Sequence, residues 1–111
     1  MKNDTAEYSV YITKSAENDL NQIISYIAEN NPRNALEIYE RLKAKIFSLS
    51  QFPNKGAYVP ELLKQNIKDY RQLLEKPWRI IYKVEDTEVK ILLVLDSRRN
   101  VQDILFEKLI A

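Results

Sequence analysis

The stretch from Tyr70 to Arg99 constrains the fold of this chain most strongly. It contains three apolar runs of strand length joined by two short polar turns, Lys76-Pro77 and Glu85-Asp86-Thr87. The runs cover residues 70–75, 78–84 and 88–95. Strand-length runs separated by short turns are typical of an antiparallel meander. Arg98 and Arg99 directly follow the last run, so the sequence predicts a small sheet with cationic groups at one end.

The alternation of residues within these runs predicts which side chains are buried. In the middle run, one set of alternating positions is apolar and the other set carries charge. The first set is Trp78, Ile80 and Tyr82, and the second is Arg79, Ile81 and Lys83. We therefore expect this strand to have one buried face and one charged face. The last run, KILLVL, is almost continuously apolar, which predicts a strand buried on both faces.

Two helical patterns precede the meander. Apolar residues recur at helical spacing from Ala16 to Ile27, and Thr13 or Ser15 is expected to cap this helix. The pattern breaks at Asn30-Asn31-Pro32, and a second helical pattern then runs as far as Phe52. Because very few residues join the two patterns, we expect an antiparallel helix hairpin.

Three further segments complete the chain. Residues 8–12 (YSVYI) are rich in β-formers and predict a first strand. Residues 53–68 contain two prolines and the single glycine and have no clear period. Residues 101–110 predict a short amphipathic helix. Its apolar stripe consists of Val101, Ile104, Leu105 and Leu109.

The combined pattern predicts an α+β fold in the order β-α-α-β-β-β-α. The helix hairpin is expected to pack on a small, mainly antiparallel sheet. The chain has 111 residues, of which 45% are hydrophobic and 30% charged, so we expect one globular domain over residues 1–111. No apolar run approaches the ~20 residues that span a bilayer, so no membrane association is expected.

The composition excludes several kinds of site. The chain has no histidine and no cysteine, which removes Ser-His-Asp and Cys-His nucleophile systems, histidine metal sites and disulfides. A single glycine excludes a glycine-rich phosphate loop. We therefore expect no metal and no cofactor. The lack of cysteine and of a signal peptide is typical of a cytoplasmic protein. With 17 basic and 16 acidic residues, the net charge of +1 gives no argument for nucleic-acid binding by the whole molecule.

The basic residues of the meander are the main candidates for binding a target. They are Arg71, Arg79, Lys83, Arg98 and Arg99. We expect them to form one cationic surface on the sheet. The alternative is an ordinary solvated strand face whose charge is balanced by Glu75, Glu85 and Asp96. For Arg99, a second alternative is an ion pair with Asp103 or Glu107 of the terminal helix.

Three segments in this order resemble the RelE/ParE superfamily of type II toxins. They are YSVYITKSAENDLNQIISYIAENNP, ALEIYERLKAKIFSLSQFPNKG and YRQLLEKPWRIIYKVEDTEVKILLVLDSRR, which together cover nearly the whole chain. The resemblance implies the α+β fold of these toxins and a small cytoplasmic protein that stops growth. It also implies a cognate antitoxin as partner, and pairing of the free toxin with itself.

The superfamily has two branches that differ in chemistry. RelE-like toxins cleave messenger RNA on the ribosome, and ParE-like toxins bind DNA gyrase. The resemblance implies that Arg71, Arg79 and Arg98 match basic residues of the nuclease branch. Leu73 stands where a lysine is useful to the nuclease, and Ile104 stands near the position of its terminal tyrosine.

The departures at Leu73 and Ile104 favour the ParE-like branch. Arginine holds anions but does not readily exchange a proton, because its pKa is above ~12. We therefore expect a gyrase-binding toxin without chemistry of its own. The alternative is a ribosome-dependent endoribonuclease that uses Arg71, Arg79 and Arg98. In that case Tyr70, Tyr82, Glu75 or Lys83 supplies the proton transfer.

Two further hypotheses concern partners. The terminal stripe of Val101, Ile104, Leu105 and Leu109 is expected to close the core; the alternative is that the antitoxin covers or displaces it. The incomplete set of nuclease residues also motivates a non-toxic role, as a component of an antitoxin or DNA complex.

Overall fold

A computed structural model describes residues 7–110 of the chain. Its strands are β1 (Ser9–Ile12), β2 (Ala57–Tyr58), β3 (Arg71–Glu75), β4 (Trp78–Glu85) and β5 (Glu88–Asp96). Its α-helices are α1 (Lys14–Ala28), α2 (Pro32–Phe47), α3 (Pro60–Leu63) and α4 (Val101–Leu105). A 3-10 turn, Ser48–Ser50, follows α2, and a π-helical turn, Phe106–Ile110, follows α4. The predicted order is confirmed, and β2 and α3 are added within the segment that had no clear period.

Capping residues set the ends of the hairpin helices. The Thr13 side chain accepts a hydrogen bond from the Ala16 backbone N–H (3.3 Å), and its hydroxyl donates to the Ile91 carbonyl of β5 (2.7 Å). Thr13 is therefore the cap of α1 and also fixes the helix to the sheet. Asn31 caps α2, and Pro32 occupies its first turn. The prediction that α2 reaches Phe52 is wrong, because the 3-10 turn ends the helix at Phe47.

The sheet has five strands in the order β1-β5-β4-β3-β2. Strands β3, β4 and β5 form the predicted antiparallel meander. Strand β1 pairs in parallel with β5, from Ser9 opposite Glu88 to Ile12 opposite Ile91. The two-residue strand β2 extends the other edge by antiparallel pairing with β3. The sheet is therefore mainly antiparallel, as the sequence predicts.

Helices cover both faces of this sheet. The hairpin of α1 and α2 packs on one face, which we call the hairpin face, against β4 residues such as Ile80 and Tyr82. Helices α3 and α4 pack on the opposite face, which we call the second face, around Ile81. The prediction of a charged, solvated face on β4 is therefore wrong. Both residues on that face that lie under α3 and α4 are buried: Ile81 is 0% exposed and Arg79 is 7% exposed.

A β-bulge explains why the last strand is almost continuously apolar. Ile81 pairs with Leu93 and Tyr82 pairs with Ile91, so Leu92 is an extra residue in β5. The bulge reverses the alternation: Val89 and Ile91 before it lie in the hairpin-face core, whereas after it Leu93 and Leu95 lie in the second-face core and Val94 in the hairpin-face core. The prediction that β5 is buried on both faces is confirmed. No helix within residues 7–110 is long and apolar enough to cross a membrane.

Candidate functional site

Arg79 is buried on the second face and is neutralised there by an acidic residue. Its two terminal nitrogens donate to the two carboxylate oxygens of Glu61 on α3, at 2.9 and 2.8 Å. Its Nε donates to the side-chain oxygen of Gln72 on β3 at 2.9 Å. The hydrogen bonds from Arg79 hold the pKa of Glu61 below its usual range. Within the described chain, the guanidinium is thus occupied by groups of the same molecule.

Arg71 projects from the hairpin face and binds the loop that precedes β2. Its Nη1 donates to the carbonyl oxygens of Asn54 (3.2 Å) and Gly56 (2.7 Å). Its guanidinium carbon lies 4.5 Å from the centre of the Tyr58 ring, which is a cation–π distance. Arg71 therefore holds residues 54–58 against the edge of the sheet.

The same loop makes a second buried contact at Gly56. The Gly56 backbone N–H donates to the hydroxyl oxygen of Tyr82 at 3.0 Å, and burial raises the pKa of that hydroxyl. A Cβ atom at Gly56 would lie 2.5 Å from the Gln72 carbonyl oxygen and 2.6 Å from the Tyr82 hydroxyl. Only glycine allows the backbone to approach so closely. Together, Arg71, Arg79 and Tyr82 fasten the segment 54–61 to both faces of the sheet.

Arg98 lies in the exposed turn after β5 and pairs with Asp96. Its Nε donates to one Asp96 oxygen at 2.9 Å, and its backbone N–H donates to the same oxygen at 2.8 Å. These hydrogen bonds lower the pKa of Asp96 to about 2. The Arg98 side chain nevertheless stays 74% exposed. Its neighbour Arg99 makes no ion pair within residues 7–110, so the alternative pairing with Asp103 or Glu107 is not observed there.

The structure does not bring Arg71, Arg79 and Arg98 together. Arg71 pairs with Tyr82, which pairs with Ile91, and β5 continues for five residues beyond that point. At ~3.3 Å per residue, the end of β5 near Arg98 lies about 17 Å further along the sheet. Arg79 projects from the opposite face. The expectation of one shared cationic surface is therefore wrong.

The register also corrects which β3 residues accompany Arg79. Arg71 and Leu73 face the hairpin, whereas Gln72 and Leu74 share the second face with Arg79. Strand β3 therefore contributes no charge next to Arg79. Residue-by-residue matching missed Glu61 and Gln72. Successive residues of a strand project to opposite faces, which places Gln72 on the face of Arg79 once the pairing of β3 with β4 is known.

Lys83, the remaining basic candidate, lies at the far end of β4. Its Nζ is 3.2 Å from a carboxylate oxygen of Glu85 and 5.8 Å from the centre of the Tyr70 ring. Lys83 and Arg71 line the same small cleft, together with Lys68. These two candidates are thus near each other, while Arg79 and Arg98 lie elsewhere.

The apolar stripe of the terminal segment lies in the second core. Val101 is 6% exposed and Leu105 is 0% exposed, and Ile104 and Leu109 pack against the same cluster. Asn100 caps α4 by accepting a hydrogen bond from the Asp103 backbone N–H (3.3 Å). A partner can reach Val101 or Leu105 only if α4 is displaced.

An open concavity lies between α1 and the end of the sheet, and we call it the helix–sheet groove. Its volume is about 640 Å³. The lining includes Ile23, Tyr26, Ile27, Trp78, Val94, Arg98 and Arg99. At its edge the Asp19 carboxylate accepts a hydrogen bond from the Val94 backbone N–H (3.0 Å), and burial raises the pKa of Asp19. Tyr26 is 73% exposed on its wall.

No cluster of acidic side chains suited to holding a metal ion occurs within residues 7–110.

The fold resembles a chain of the chromosomal ParDE toxin–antitoxin system from P. aeruginosa, with a TM-score of 0.67 and 26% identity over 82% of this chain and 97% of that chain. It also resembles a chain of the RelBE2 toxin–antitoxin complex from Mycobacterium tuberculosis, with a TM-score of 0.59 and 21% identity over 86% of this chain and 97% of that chain. The architecture is therefore that of the RelE/ParE superfamily.

The sequence model described as "ParE toxin of type II toxin-antitoxin system, parDE" matches residues 10–101. The chain therefore belongs to the ParE toxin family. Among individual relatives, Toxin ParE3 of Caulobacter vibrioides is 29% identical over 89 residues, which cover 79% of this chain and 85% of the relative.

Proposed function

We propose that this ParE-type toxin stops growth by binding DNA gyrase, without breaking a covalent bond itself, and that a cognate antitoxin neutralises it. The observation that supports binding over catalysis is the burial of Arg79 against Glu61. An arginine whose guanidinium nitrogens already donate to side chains of its own chain cannot at the same time hold the phosphate of a reacting RNA. On this account the toxin works as one domain, residues 1–111, in the cytoplasm.

Two of the four groups proposed for proton transfer, Tyr82 and Glu75, lie on the hairpin face, opposite Arg79. The Tyr82 hydroxyl is buried on the hairpin face at Gly56. Glu75 pairs with Arg41 (2.7 Å) and Lys45 (3.7 Å) of α2. RNA cleavage needs a base near the attacking hydroxyl and an acid near the leaving oxygen. This distribution of side chains supports the gyrase proposal over the ribosome-dependent nuclease.

The helix–sheet groove is the surface we assign to the antitoxin. Its walls are mainly apolar, although Asp19 and Asp96 also line it, and the apolar part suits the apolar side chains of an amphipathic segment. Arg99 lines it without an ion pair among the described residues and suits an acidic residue on the same segment. The earlier candidates in the terminal stripe, Val101 and Leu105, are less suitable because they are already buried.

The function is tested with purified gyrase and relaxed plasmid. Folded toxin is expected to block supercoiling and to accumulate cleaved DNA bound to gyrase. Addition of the antitoxin encoded beside the toxin gene is expected to restore supercoiling. Unchanged supercoiling at a large excess of folded toxin, together with codon-phased cuts in messenger RNA of arrested cells, contradicts the proposal and supports the nuclease.

The antitoxin surface is tested with a pair of exposed tyrosines. Tyr26→Lys places a charge on the groove wall, and we expect it to weaken antitoxin binding by about 10-fold or more. Tyr11→Lys is the matched control, because Tyr11 is 54% exposed but does not line the groove. Equal affinities of the two variants for the antitoxin would place its binding site elsewhere.

A further inference from the structure

A small basic cleft lies where β3 begins and β4 ends, away from the helix–sheet groove. Its volume is about 200 Å³. We call it the basic cleft, and its lining consists of Asn54, Tyr58, Lys68, Asp69, Arg71, Lys83 and Val84. Three cationic side chains and one carboxylate thus share a concave surface of a molecule whose net charge is only +1.

Hydrogen bonds to backbone carbonyls hold the Arg71 side chain in this cleft. Other N–H groups of its guanidinium remain available to a ligand. The two hydrogen bonds to the Asn54 and Gly56 carbonyls use only Nη1. Its Nε and Nη2 have no acceptor within residues 7–110. The Tyr58 ring, whose centre lies 4.5 Å from the guanidinium carbon, restricts its position further. A guanidinium whose orientation is set before binding binds an oxyanion at a lower entropic cost than a flexible side chain does.

The two lysines add charge that is only partly compensated. Lys83 pairs with Glu85 at 3.2 Å, but Glu85 also binds Lys90 at 2.9 Å. Lys68 is exposed and has no carboxylate within ion-pair distance among the described residues. The cleft therefore presents a fixed guanidinium and two ammonium groups, with Asp69 as the carboxylate in its lining.

We propose that the basic cleft binds a phosphodiester group of a nucleic-acid strand. A phosphate offers acceptor oxygens to the guanidinium fork and to both ammonium groups at once. The rings of Tyr58 and Tyr70 lie beside the cations, and aromatic rings among cations are the pattern of surfaces that bind strands without sequence preference. This binding does not depend on the gyrase proposal, since it is argued from the lining of the cleft alone.

The test measures binding of a labelled single-stranded oligonucleotide by fluorescence anisotropy at low salt. Wild-type toxin is expected to bind with a salt slope of about −0.7, which corresponds to one phosphate contact on a single strand. The double variant Lys68→Gln/Lys83→Gln should bind at least 10-fold more weakly. Lys14→Gln/Lys43→Gln is the matched control with the same loss of charge, and it should change binding less than 2-fold. Equal losses in the two double variants, or no binding by wild type, overturn the proposal.

A second variant is expected to strengthen oligonucleotide binding instead of weakening it. Misfolding would weaken binding, so it cannot produce the expected result. Asp69→Asn removes the carboxylate of the cleft and should tighten binding about 3-fold or more. Inorganic phosphate and poly-glutamate serve as competitors. Displacement of the oligonucleotide by phosphate but not by poly-glutamate supports a phosphoryl site, and equally effective displacement by poly-glutamate contradicts it. Unchanged or weaker binding by Asp69→Asn also contradicts it. The assay contains no gyrase, so its outcome is independent of the proposed target.

Discussion

Glu61 and Arg79 form a two-pronged ion pair that joins α3 to β4 across the second face of the sheet. Both carboxylate oxygens accept from the guanidinium, at 2.9 and 2.8 Å, and the Arg79 side chain is only 9% exposed. Removal of either partner leaves a poorly solvated charge without its counter-ion. The guanidinium of the arginine that looks functional in the sequence is therefore occupied by side chains of its own chain.

We first predict that Glu61→Gln lowers the free energy of unfolding by about 2 kcal/mol at pH 7, because it leaves Arg79 uncompensated. Urea denaturation measures the change. Glu40→Gln on exposed α2 surface is the matched control and should stay within about 0.5 kcal/mol of wild type. An equally small effect of both substitutions would show that the Glu61–Arg79 pair does not stabilise the fold.

The Glu61 contribution should depend on pH in a defined direction. Its pKa is lowered in the fold by Arg79, so the charged carboxylate stabilises the native state. The stabilisation is complete above the unfolded pKa of about 4.3 and is lost as the pH falls through the lower folded pKa. The stability difference between wild type and Glu61→Gln should therefore shrink below about pH 4. A constant difference from pH 7 down to pH 3 would contradict this assignment.

A second prediction concerns the hydroxyl of Tyr82. Tyr82→Phe removes the acceptor of the buried Gly56 N–H, and an unsatisfied buried donor costs about 1–3 kcal/mol. Tyr26→Phe is the matched control, because that ring is 73% exposed and its hydroxyl is at the surface. Thermal unfolding should distinguish the two variants clearly. Equal melting temperatures would mean that the Gly56–Tyr82 hydrogen bond contributes nothing.

A third prediction concerns the space at Gly56 itself. Gly56→Ala introduces a Cβ atom 2.5 Å from the Gln72 carbonyl oxygen, which must move the loop or the strand. We expect a lower melting temperature than for Tyr82→Phe. Adding Tyr82→Phe to Gly56→Ala should not restore stability, because the contact with the Gln72 backbone remains. Full rescue by the double substitution would show that the hydroxyl alone sets the constraint.

The fourth prediction is a titration. Asp96 has a pKa of about 2 because Arg98 donates to it through both side chain and backbone. Arg98→Ala removes the side-chain hydrogen bonds, so the pKa of Asp96 should rise toward 3.8. Arg99→Ala should shift the pKa less, since Arg99 acts on Asp96 only through its charge. Carbon NMR of the carboxyl group across pH 1.5–5 measures both variants. A larger shift for Arg99→Ala would contradict the structure.

The periodicity of the sequence was sufficient to predict most of the elements. The meander, the Thr13 cap and the helix hairpin follow from local patterns, because each depends on residues close together in the chain. The sequence did not predict that helices cover the second face. Glu61 sits in a segment without a clear period, and nothing local indicates that α3 folds back over Arg79, 18 residues later.

The site was harder to predict than the fold for the same reason. Alternation places Arg71 and Arg79 on opposite faces once the register is known, but the register depends on which residues pair across the turn. The burial of Arg79 depends further on α3, which local alternation cannot show. By contrast, the core role expected of Val101 and Leu105 agrees with their burial, because a helical stripe predicts burial directly.

The proposal that this toxin acts by binding gyrase leaves Arg79 with a structural role as the partner of Glu61. Its most direct test is the supercoiling assay with the double variant Glu61→Leu/Arg79→Met, since apolar residues often replace a buried ion pair with little loss of stability. The account predicts that this variant, once shown by circular dichroism to be folded, inhibits gyrase as strongly as wild-type toxin does. A folded double variant that leaves supercoiling intact, while the wild type blocks it, would contradict the account.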